Sequence, residues 1–219
     1  MTKNALTIND LRAQLAAKFQ EQRNFMPASA STKIKPVPGK GFTLPDGKII
    51  PSIEAVILDI RYLHRLYPPY KPGNIESPFC WAVGKDAKNM APDEKSSKPA
   101  HDKCEGCPHD EWGSGNNGIG KRCKNDIRLA LLQPDADEDA PIFTLELPPA
   151  SNTSFTNTLK KLEVPTQTVV MKFTMDERFT YVKVITELLS PAPDALAPFI
   201  MDAMAKAQPL LDRGFDYEA

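Results

Sequence analysis

The feature that most constrains this chain is the placement of its four cysteines, which share one polar, glycine-rich stretch. Cys104 and Cys107 form a CxxC pair; 23 residues separate it from Cys80 and 15 residues separate it from Cys123. Two thiolates spaced by two residues can bind one metal ion from a tight turn, and thiolates suit tetrahedral zinc. We therefore expect Cys80, Cys104, Cys107 and Cys123 to bind a structural zinc ion.

Neighbouring residues leave alternatives to a closed four-cysteine site. His101 and His109 lie close to the CxxC pair, and either could replace a cysteine as ligand. A catalytic zinc would need an open position and a nearby acid, such as Glu105 or Glu111, to handle water. Four thiolates would close the shell, which favours a structural role. The zinc deaminase pattern is absent because no proline precedes Cys104.

A second motif in the same stretch resembles a nucleotide-binding loop. Residues 115–121 read GNNGIGK, which matches the start of a P-loop. The next residue is Arg122, where magnesium binding requires Ser or Thr, and no apolar strand leads into the motif. We interpret the segment as a loop and exclude nucleotide hydrolysis. No Ser/His/Asp set or paired-carboxylate cleft is recognisable, so we predict a protein that is not an enzyme.

Composition favours a folded protein without a global attraction to nucleic acid. Hydrophobic residues make up 41% and charged residues 25% of the chain, which suffices for a packed core. The 27 basic and 28 acidic residues give a net charge of −1, so a nucleic-acid surface would need local segregation of charge. Since neither a long apolar run nor a signal-peptide core is found, we expect a soluble cytoplasmic protein (in the bacterial host cytoplasm if the chain is viral) that does not bind membranes. Such a reducing compartment favours metal-bound cysteines over disulfides.

Hydrophobic patterning divides the chain into four parts. Residues 1–27 read as an amphipathic helix, and residues 28–41, rich in Ser, Pro, Gly and Lys, read as a linker. Residues 42–190 form a β core that includes a zinc-binding insertion at 76–125. Residues 191–219 contain a C-terminal helix and an acidic tail.

Alternating and β-branched runs predict five or six strands and few helices. The expected strands cover 49–67, 80–84, 126–132, 142–147, 168–174 and 180–186, with helices at 151–162 and 194–207. This pattern predicts a mainly β fold with minor α content. An OB-like Greek-key barrel fits best, since it tolerates large insertions and binds oligonucleotides on one face. A β-sandwich is the alternative.

Basic and aromatic side chains interleave in three clusters that are candidates for nucleic-acid binding. Aromatic faces stack on unpaired bases, while Lys and Arg neutralise backbone phosphates. The competing interpretation places the aromatic residues in the core and the basic residues in solvent. The candidates are Arg61, Tyr62, Arg65, Tyr67, Tyr70 and Lys71; then Trp81 and Lys85; then Trp112, Lys121, Arg122 and Lys124.

Several short motifs carry a family resemblance. They are LPDG at 44–47, VILD at 56–59, PFC at 78–80, CxxCPxxxWGS at 104–114, GKxCK at 120–124 and LPPAS at 147–151. Between Gly41 and Glu187 the chain resembles single-stranded-DNA-binding proteins of tailed bacteriophages, which have OB-type cores with an inserted zinc element. The resemblance implies single-stranded DNA binding in replication or recombination.

A second hypothesis is a protein–protein adaptor that engages a replication protein, a host polymerase or a defence factor. The near-neutral charge, the amphipathic end helices and the acidic residues of the C-terminal tail, 212–218, favour it. The same tail is a candidate contact for replication proteins if the chain binds DNA. A zinc nuclease or other hydrolase is a third, weaker reading, because the closed thiolate shell and the missing carboxylate set argue against it.

Overall fold

The structure, a computed structural model, describes residues 32–69, 71–73 and 76–215. All of these residues belong to one compact unit, Thr32–Ala219. The N-terminal helix predicted at 1–27 lies outside the described residues.

This part of the chain is mainly β, as the sequence predicts. Its strands are β1 (Lys33–Val37), β2 (Gly41–Thr43), β3 (Ile49–Ile50), β4 (Ser52–Leu66), β5 (Cys80–Gly84), β6 (Lys124–Leu132), β7 (Phe143–Leu147), β8 (Val169–Met175) and β9 (Val184–Pro191). Its α-helices are α1 (Pro149–Lys160) and α2 (Ile200–Leu211). Three-residue 3-10 turns lie at 108–110, 116–118, 166–168 and 194–196.

The nine strands form one strongly curled sheet, a half barrel organised around β4. The strand order is β3-β2-β1-β7-β6-β4-β8-β9, and β5 is a further partner of β4. One edge of β4 pairs with β6 over Val56–Arg65; the other pairs with β8 over Ser52–Val56 and with β5 over Tyr62–Leu66. All pairs are antiparallel except β1 with β7.

Both faces of β4 are buried over residues 55–58, which explains the continuous apolar sequence there. Ile53 and Ile57 pack into one cluster with Phe155 of α1. Val56 and Leu58 pack into a second cluster, which α2 covers. The sheet therefore separates two apolar layers, one against each helix.

A β-bulge at Leu58 changes which side chains of β4 face each helix. Ile57 pairs with Leu131 and Asp59 pairs with Ala130, so β4 contains one residue more than β6 at this point. Because side chains alternate along a strand, one extra residue exchanges the two faces beyond it. Asp59 consequently lies on the α2 face, as Ala130 does.

The predicted linker at 28–41 is wrong for residues 33–37, which form β1. This strand runs parallel to β7, and its Ile34 lies opposite Leu145 in the core. Ile34 is the one fully buried side chain of this strand, and Pro36 follows two residues later. With a single buried apolar residue and a proline, the local sequence looks like that of a linker. Strand β2 begins at Gly41, where glycine is required because φ is +108° and a Cβ atom would lie 2.1 Å from the carbonyl oxygen of Ile50 in β3.

The C-terminal part begins later than the sequence predicts. Strand β9 extends to Pro191, and the predicted helix at 194–207 is divided into a 3-10 turn at 194–196 and α2, which ends at Leu211. Among residues 32–69, 71–73 and 76–215, no helix is long and apolar enough to span a lipid bilayer.

Phe155 tests the packing of α1 against the sheet. Its side chain is 2% exposed within the first apolar cluster, so F155A should lower the free energy of unfolding by about 3–5 kcal/mol. The control T153A removes an exposed side chain of the same helix and should change it by less than about 0.5 kcal/mol. Urea unfolding measures both; equal effects would contradict the packing of Phe155.

Candidate metal centre and nucleic-acid groove

Strand pairing brings Cys80 and Cys123 to opposite sides of the same end of β4. Cys80 lies opposite Leu66 in the β4–β5 pair. Lys124 lies opposite Arg65 in the β4–β6 pair, and Cys123 immediately precedes it. Two strand spacings, roughly 10 Å, separate the backbones of the flanking strands, a distance that two inward-pointing thiols and one metal ion can span.

The CxxC pair reaches the same place from a loop. The backbone amide of Cys104 donates to the carbonyl of Met90 (2.8 Å), and the amide of Cys107 donates to the carbonyl of Cys104 (3.2 Å). All four cysteines are free thiols and line one cavity of about 20 Å³. A space of that size holds one water-sized species, so the cavity fits a single metal ion.

Two residues absent from the predicted ligand set, His64 and Asp110, also line this cavity. One possible ligand atom from each of His64, Asp110 and Cys123 lies within 4.8 Å of the other two. Within the described residues, this is the group of possible metal ligands that packs so closely. His64 is 6% exposed and its Nδ1 has no hydrogen-bond partner. Oδ1 of Asp110 accepts no hydrogen bond either, although Nζ of Lys121 lies 3.2 Å away. Such orphaned polar atoms are costly unless an ion or a charged partner satisfies them.

No local motif identifies His64, one of three scattered histidines. Its signal is positional: His64 and Leu66 share a face of β4, and Leu66 is the residue that pairs with Cys80. That signal becomes visible once the register of β5 on β4 is known. His101 lines the cavity but is exposed, with Nδ1 3.0 Å from the carbonyl of Lys103. The backbone carbonyl of His109 accepts a hydrogen bond from the backbone amide of Cys123 (2.8 Å).

When no cation is bound, burial keeps the thiols of Cys80, Cys104 and Cys123 in the neutral form. Burial, followed by neighbouring thiols and Asp110, raises the pKa of Cys104 and of Cys123 to about 12. Burial also lowers the pKa of His64. A divalent cation reverses this preference, because it binds thiolates and displaces their protons. The donors fit an ion with affinity for sulfur, which is the chemistry of zinc.

Beside the metal cavity lies a groove of about 850 Å³ between the segments 67–76 and 114–124. Its walls bring together five of the twelve predicted nucleic-acid contacts: Tyr67, Lys71, Lys121, Arg122 and Lys124. Glu76 and Ile119 also line it. Nζ of Lys124 lies 5.3 Å from the ring centroid of Tyr67, within the range of a cation–π contact.

One wall of the groove is a loop, residues 109–122, whose two ends are joined by hydrogen bonds of Ser114. The hydroxyl of Ser114 donates to the carbonyls of His109 (2.9 Å) and Glu111 (2.7 Å) and accepts the amide of Arg122 (3.1 Å). Gly115 allows a close approach, since a Cβ atom there would lie 2.0 Å from the carbonyl oxygen of Ile119. These contacts set the backbone that carries the basic side chains.

The prediction that Arg61 contacts nucleic acid is wrong. Its side chain is 1% exposed and donates to Asp59 (2.8 Å) and to Asp212 (2.5 Å). A third contact, 2.5 Å, joins it to Gln208 of α2. The bulge at Leu58 places Arg61 on the α2 face, where these partners lie.

Arg65 and Trp81, two further predicted nucleic-acid contacts, also have partners within the chain. Arg65 donates to Asp126 and to Glu146, and its guanidinium lies 5.1 Å from the ring centroid of Phe215. Trp81 is 5% exposed and meets the same Phe215 ring edge-on, with 5.5 Å between centroids. Both side chains therefore pack beneath residues 212–215 of the chain's own C-terminal segment.

The remaining candidates separate by position. Tyr62 is half-buried and packs against two apolar clusters, so it belongs to the core. Lys85 is exposed after β5 and does not line the groove, whereas Trp112, 82% exposed, lies on the loop that forms one groove wall. Tyr70 lies outside the described residues.

Comparisons with known protein families, curated proteins and solved structures found no match for this chain.

Glu146 tests the buried charge network on the α2 face. Burial alone would raise its pKa, but Arg65, Lys33 and Arg128 outweigh burial and lower the pKa to about 2. A carboxylate with a depressed pKa stabilises the fold above its unfolded value of 4.5, and that stability is lost as pH falls from about 4.5 through about 2. We expect E146Q to lower the free energy of unfolding at pH 7 by about 3 kcal/mol.

The difference between E146Q and wild type should shrink between pH 4.5 and pH 2, as followed by urea unfolding at stepped pH. E187Q removes an exposed carboxylate from β9 and serves as the charge-matched control. A difference for E146Q that stays constant with pH would contradict the ion-pair account.

Proposed function

We propose that this chain is a non-catalytic single-stranded-DNA-binding protein that uses the groove beside the metal cavity, with zinc in a structural role. The observation that carries the proposal is the convergence of Tyr67, Lys71, Lys121, Arg122 and Lys124 on one groove of about 850 Å³. These residues come from two segments, and 49 residues lie between Lys71 and Lys121, so their convergence is a property of the fold.

Charge supports this proposal. Four cationic side chains and one anionic side chain, Glu76, line the groove, although the whole chain has a net charge of −1. Local segregation of this kind is what a near-neutral protein needs in order to bind a polyanion. Asp110 pairs with Lys121 from the metal side and partly offsets it.

Exposed apolar groups at the groove suit bases rather than a duplex backbone. Tyr67 lines the groove, and Trp112 and Ile119, 82% and 75% exposed, project from the loop that forms one wall. Base–aromatic stacking contributes about 1–3 kcal/mol per base and is available when bases are unpaired. Trp112 and Tyr67 are therefore the proposed stacking residues.

The proposed zinc ligands are the thiols of Cys80, Cys104, Cys107 and Cys123, which line one cavity sized for one ion. The ion would join β5, the CxxC loop and the start of β6 at a single point. Cys123 directly precedes Lys124, so the ion would fix the position of a groove cation through one peptide bond.

The OB-type barrel and a role in phage replication or recombination also belong to this proposal. The curled half-barrel sheet and the resemblance of residues 41–187 support them. A cytoplasmic site of action would follow from that role.

Removing two groove cations should weaken single-strand binding and its dependence on salt. Each phosphate contact with single-stranded nucleic acid adds about 0.7 to the slope of log affinity against log salt. R122A/K124A should therefore lower the slope by about 1.4, which corresponds to about a sevenfold smaller loss of affinity between 50 and 200 mM salt. Fluorescence anisotropy with a labelled oligothymidylate measures both quantities.

The control K160A/K161A removes two exposed cations at the end of α1, away from the groove, and should leave both quantities unchanged. Equal effects of the two double variants would replace the groove with a diffuse electrostatic attraction. Equal affinity for duplex and single strand would overturn the single-strand assignment.

Metal removal tests the structural role of zinc. A chelator under reducing conditions should accelerate tryptic cleavage after Lys103, Lys121 and Arg122, because the ion would anchor the loop that carries them. Cleavage after Lys172, within β8, should stay slow, since the apolar core does not involve the cavity. Mass spectrometry of timed digests locates the cuts, and identical rates with and without metal would contradict the structural role.

An adaptor is the second candidate function, favoured by β9 at the end of the sheet. Its Leu188 and Leu189 are 52% and 47% exposed, as a strand that pairs with a partner protein could require. The C-terminal segment argues in the other direction, because residues 212–215 pack on the chain's own sheet. Two measurements separate the two functions. One compares the proteins that wild type and L188E/L189E capture from a host lysate, and the other is a gel shift on single-stranded DNA.

A further inference from the structure

Lys121 lies between two parts of the molecule, the nucleic-acid groove and the metal cavity. Its side chain lines the groove and is 36% exposed. Its Nζ also lies 3.2 Å from Oδ1 of Asp110, a residue that lines the cavity. A phosphate group in the groove and the carboxylate of Asp110 would therefore bind the same ammonium group.

Asp110 is held on the cavity side of this pair. It ends the 3-10 turn at 108–110, and its backbone amide donates to the carbonyl of Cys107 (2.8 Å). Its side chain is 18% exposed, and its Oδ1 is buried without a hydrogen-bond partner. A largely buried carboxylate needs a nearby opposite charge, because burial removes much of its hydration. Lys121 supplies that charge.

The burial of Asp110 strengthens its attraction to Lys121. Water and salt screen a charge poorly where it is largely buried, so this pair keeps more of its strength than a fully exposed pair would. Lysine has a flexible four-carbon stem, whereas Asp110 has a short side chain on an ordered turn. The ammonium group is thus the part that can move between the carboxylate and a phosphate.

Arg122, the next residue, provides the contrast within the same groove wall. Its side chain is exposed and lines the groove. Its backbone amide donates to the hydroxyl of Ser114 (3.1 Å), and in the described part of the chain its guanidinium has no ion pair. Of these two adjacent cations, one is neutralised within the protein and the other is available to an external anion.

We propose that Asp110 regulates the groove by competing with nucleic-acid phosphates for Lys121. While Lys121 is bound to Asp110, the groove holds a strand with one cation fewer, so its affinity and its dependence on salt are both lower. Asp110 is a positioning residue, because it acts through Lys121 and does not contact the nucleic acid. The inference rests on the proposed function of the groove, and it requires no particular state of the metal cavity.

Single substitutions compare the two adjacent cations. Each phosphate contact with a single strand adds about 0.7 to the slope of log affinity against log salt. R122A should lower the slope by about 0.7, whereas K121A should lower it by less than about half of that, because Asp110 already neutralises Lys121. Fluorescence anisotropy with a labelled oligothymidylate measures the affinity at each salt concentration. Equal losses of slope in K121A and R122A would overturn the proposal.

Removing the carboxylate should release Lys121 to the strand. We expect D110N to tighten binding at low salt and to raise the slope by about 0.7, which corresponds to about a 2.6-fold greater loss of affinity between 50 and 200 mM salt. The control E111Q removes the same charge from the exposed next residue and should leave affinity and slope unchanged. Equal effects of D110N and E111Q would overturn the proposal. Weaker binding by D110N would overturn it too, since Asp110 would then hold Lys121 in a productive position.

The double variant D110N/K121A separates competition for Lys121 from every other effect of Asp110. It should match K121A in affinity and slope, because without Lys121 there is nothing for Asp110 to withhold. A gain from D110N that persists in the K121A background would overturn the proposal, even if the substitution also alters the metal cavity.

The comparison of K121A with R122A decides the question by itself if D110N does not fold. Failure of wild type to bind the oligonucleotide at all would refute the proposed function of the groove. Binding by wild type that D110N leaves unchanged would refute only the role of Asp110.

Discussion

The arrangement of the whole molecule depends on the bulge at Leu58 in β4. Immediately before the bulge, at residues 55–57, both faces of the strand are apolar and lie between α1 and α2. Beyond it, one extra residue places Asp59 and Arg61 toward α2 and His64 toward the thiols. With regular alternation the two sets would exchange faces. Arg61 would then enter an apolar layer without its acids, a burial that costs several kcal/mol.

The bulge also explains why the basic residues of β4 do not make a basic surface. Arg61 and Arg65 are paired with carboxylates, and Arg128 of β6 lies opposite Arg61 and pairs with Glu146. Arg128 also donates to the carbonyl of Leu211, the last residue of α2, and to the carbonyl of Arg213. These two hydrogen bonds hold the end of α2 over this face of the sheet. The groove cations therefore lie on loops and at the first residue of β6, not on the face of the sheet that α2 covers.

Much of the fold follows from local sequence, because local patterns report burial of apolar side chains. The strands at 80–84 and 126–132 and the helix after Pro149 lie where alternation and spacing predict them. The metal cavity follows in part, since the CxxC spacing identifies two of the residues that line it. The buried position of Arg61 does not follow from local sequence, because its partner Asp212 lies 151 residues away and the pairing of β4 with β6 contains the bulge. His64 was missed for the same reason: its place beside the cavity depends on strand pairing, which no local pattern encodes.

The groove and the metal centre share one loop, and the energetics of that loop tie them together. Every residue between Pro108 and Arg122 is exposed or half-buried, so the loop has no apolar core of its own. Ordering such a segment costs about 1–2 kcal/mol per residue in backbone entropy, and the hydrogen bonds of Ser114 offset a small part of this cost. In the proposed function, an ion held by thiolates at both ends of the loop would supply the missing constraint. The cations of the groove wall would then be in position before a nucleic-acid strand arrives, so binding would not have to order them first.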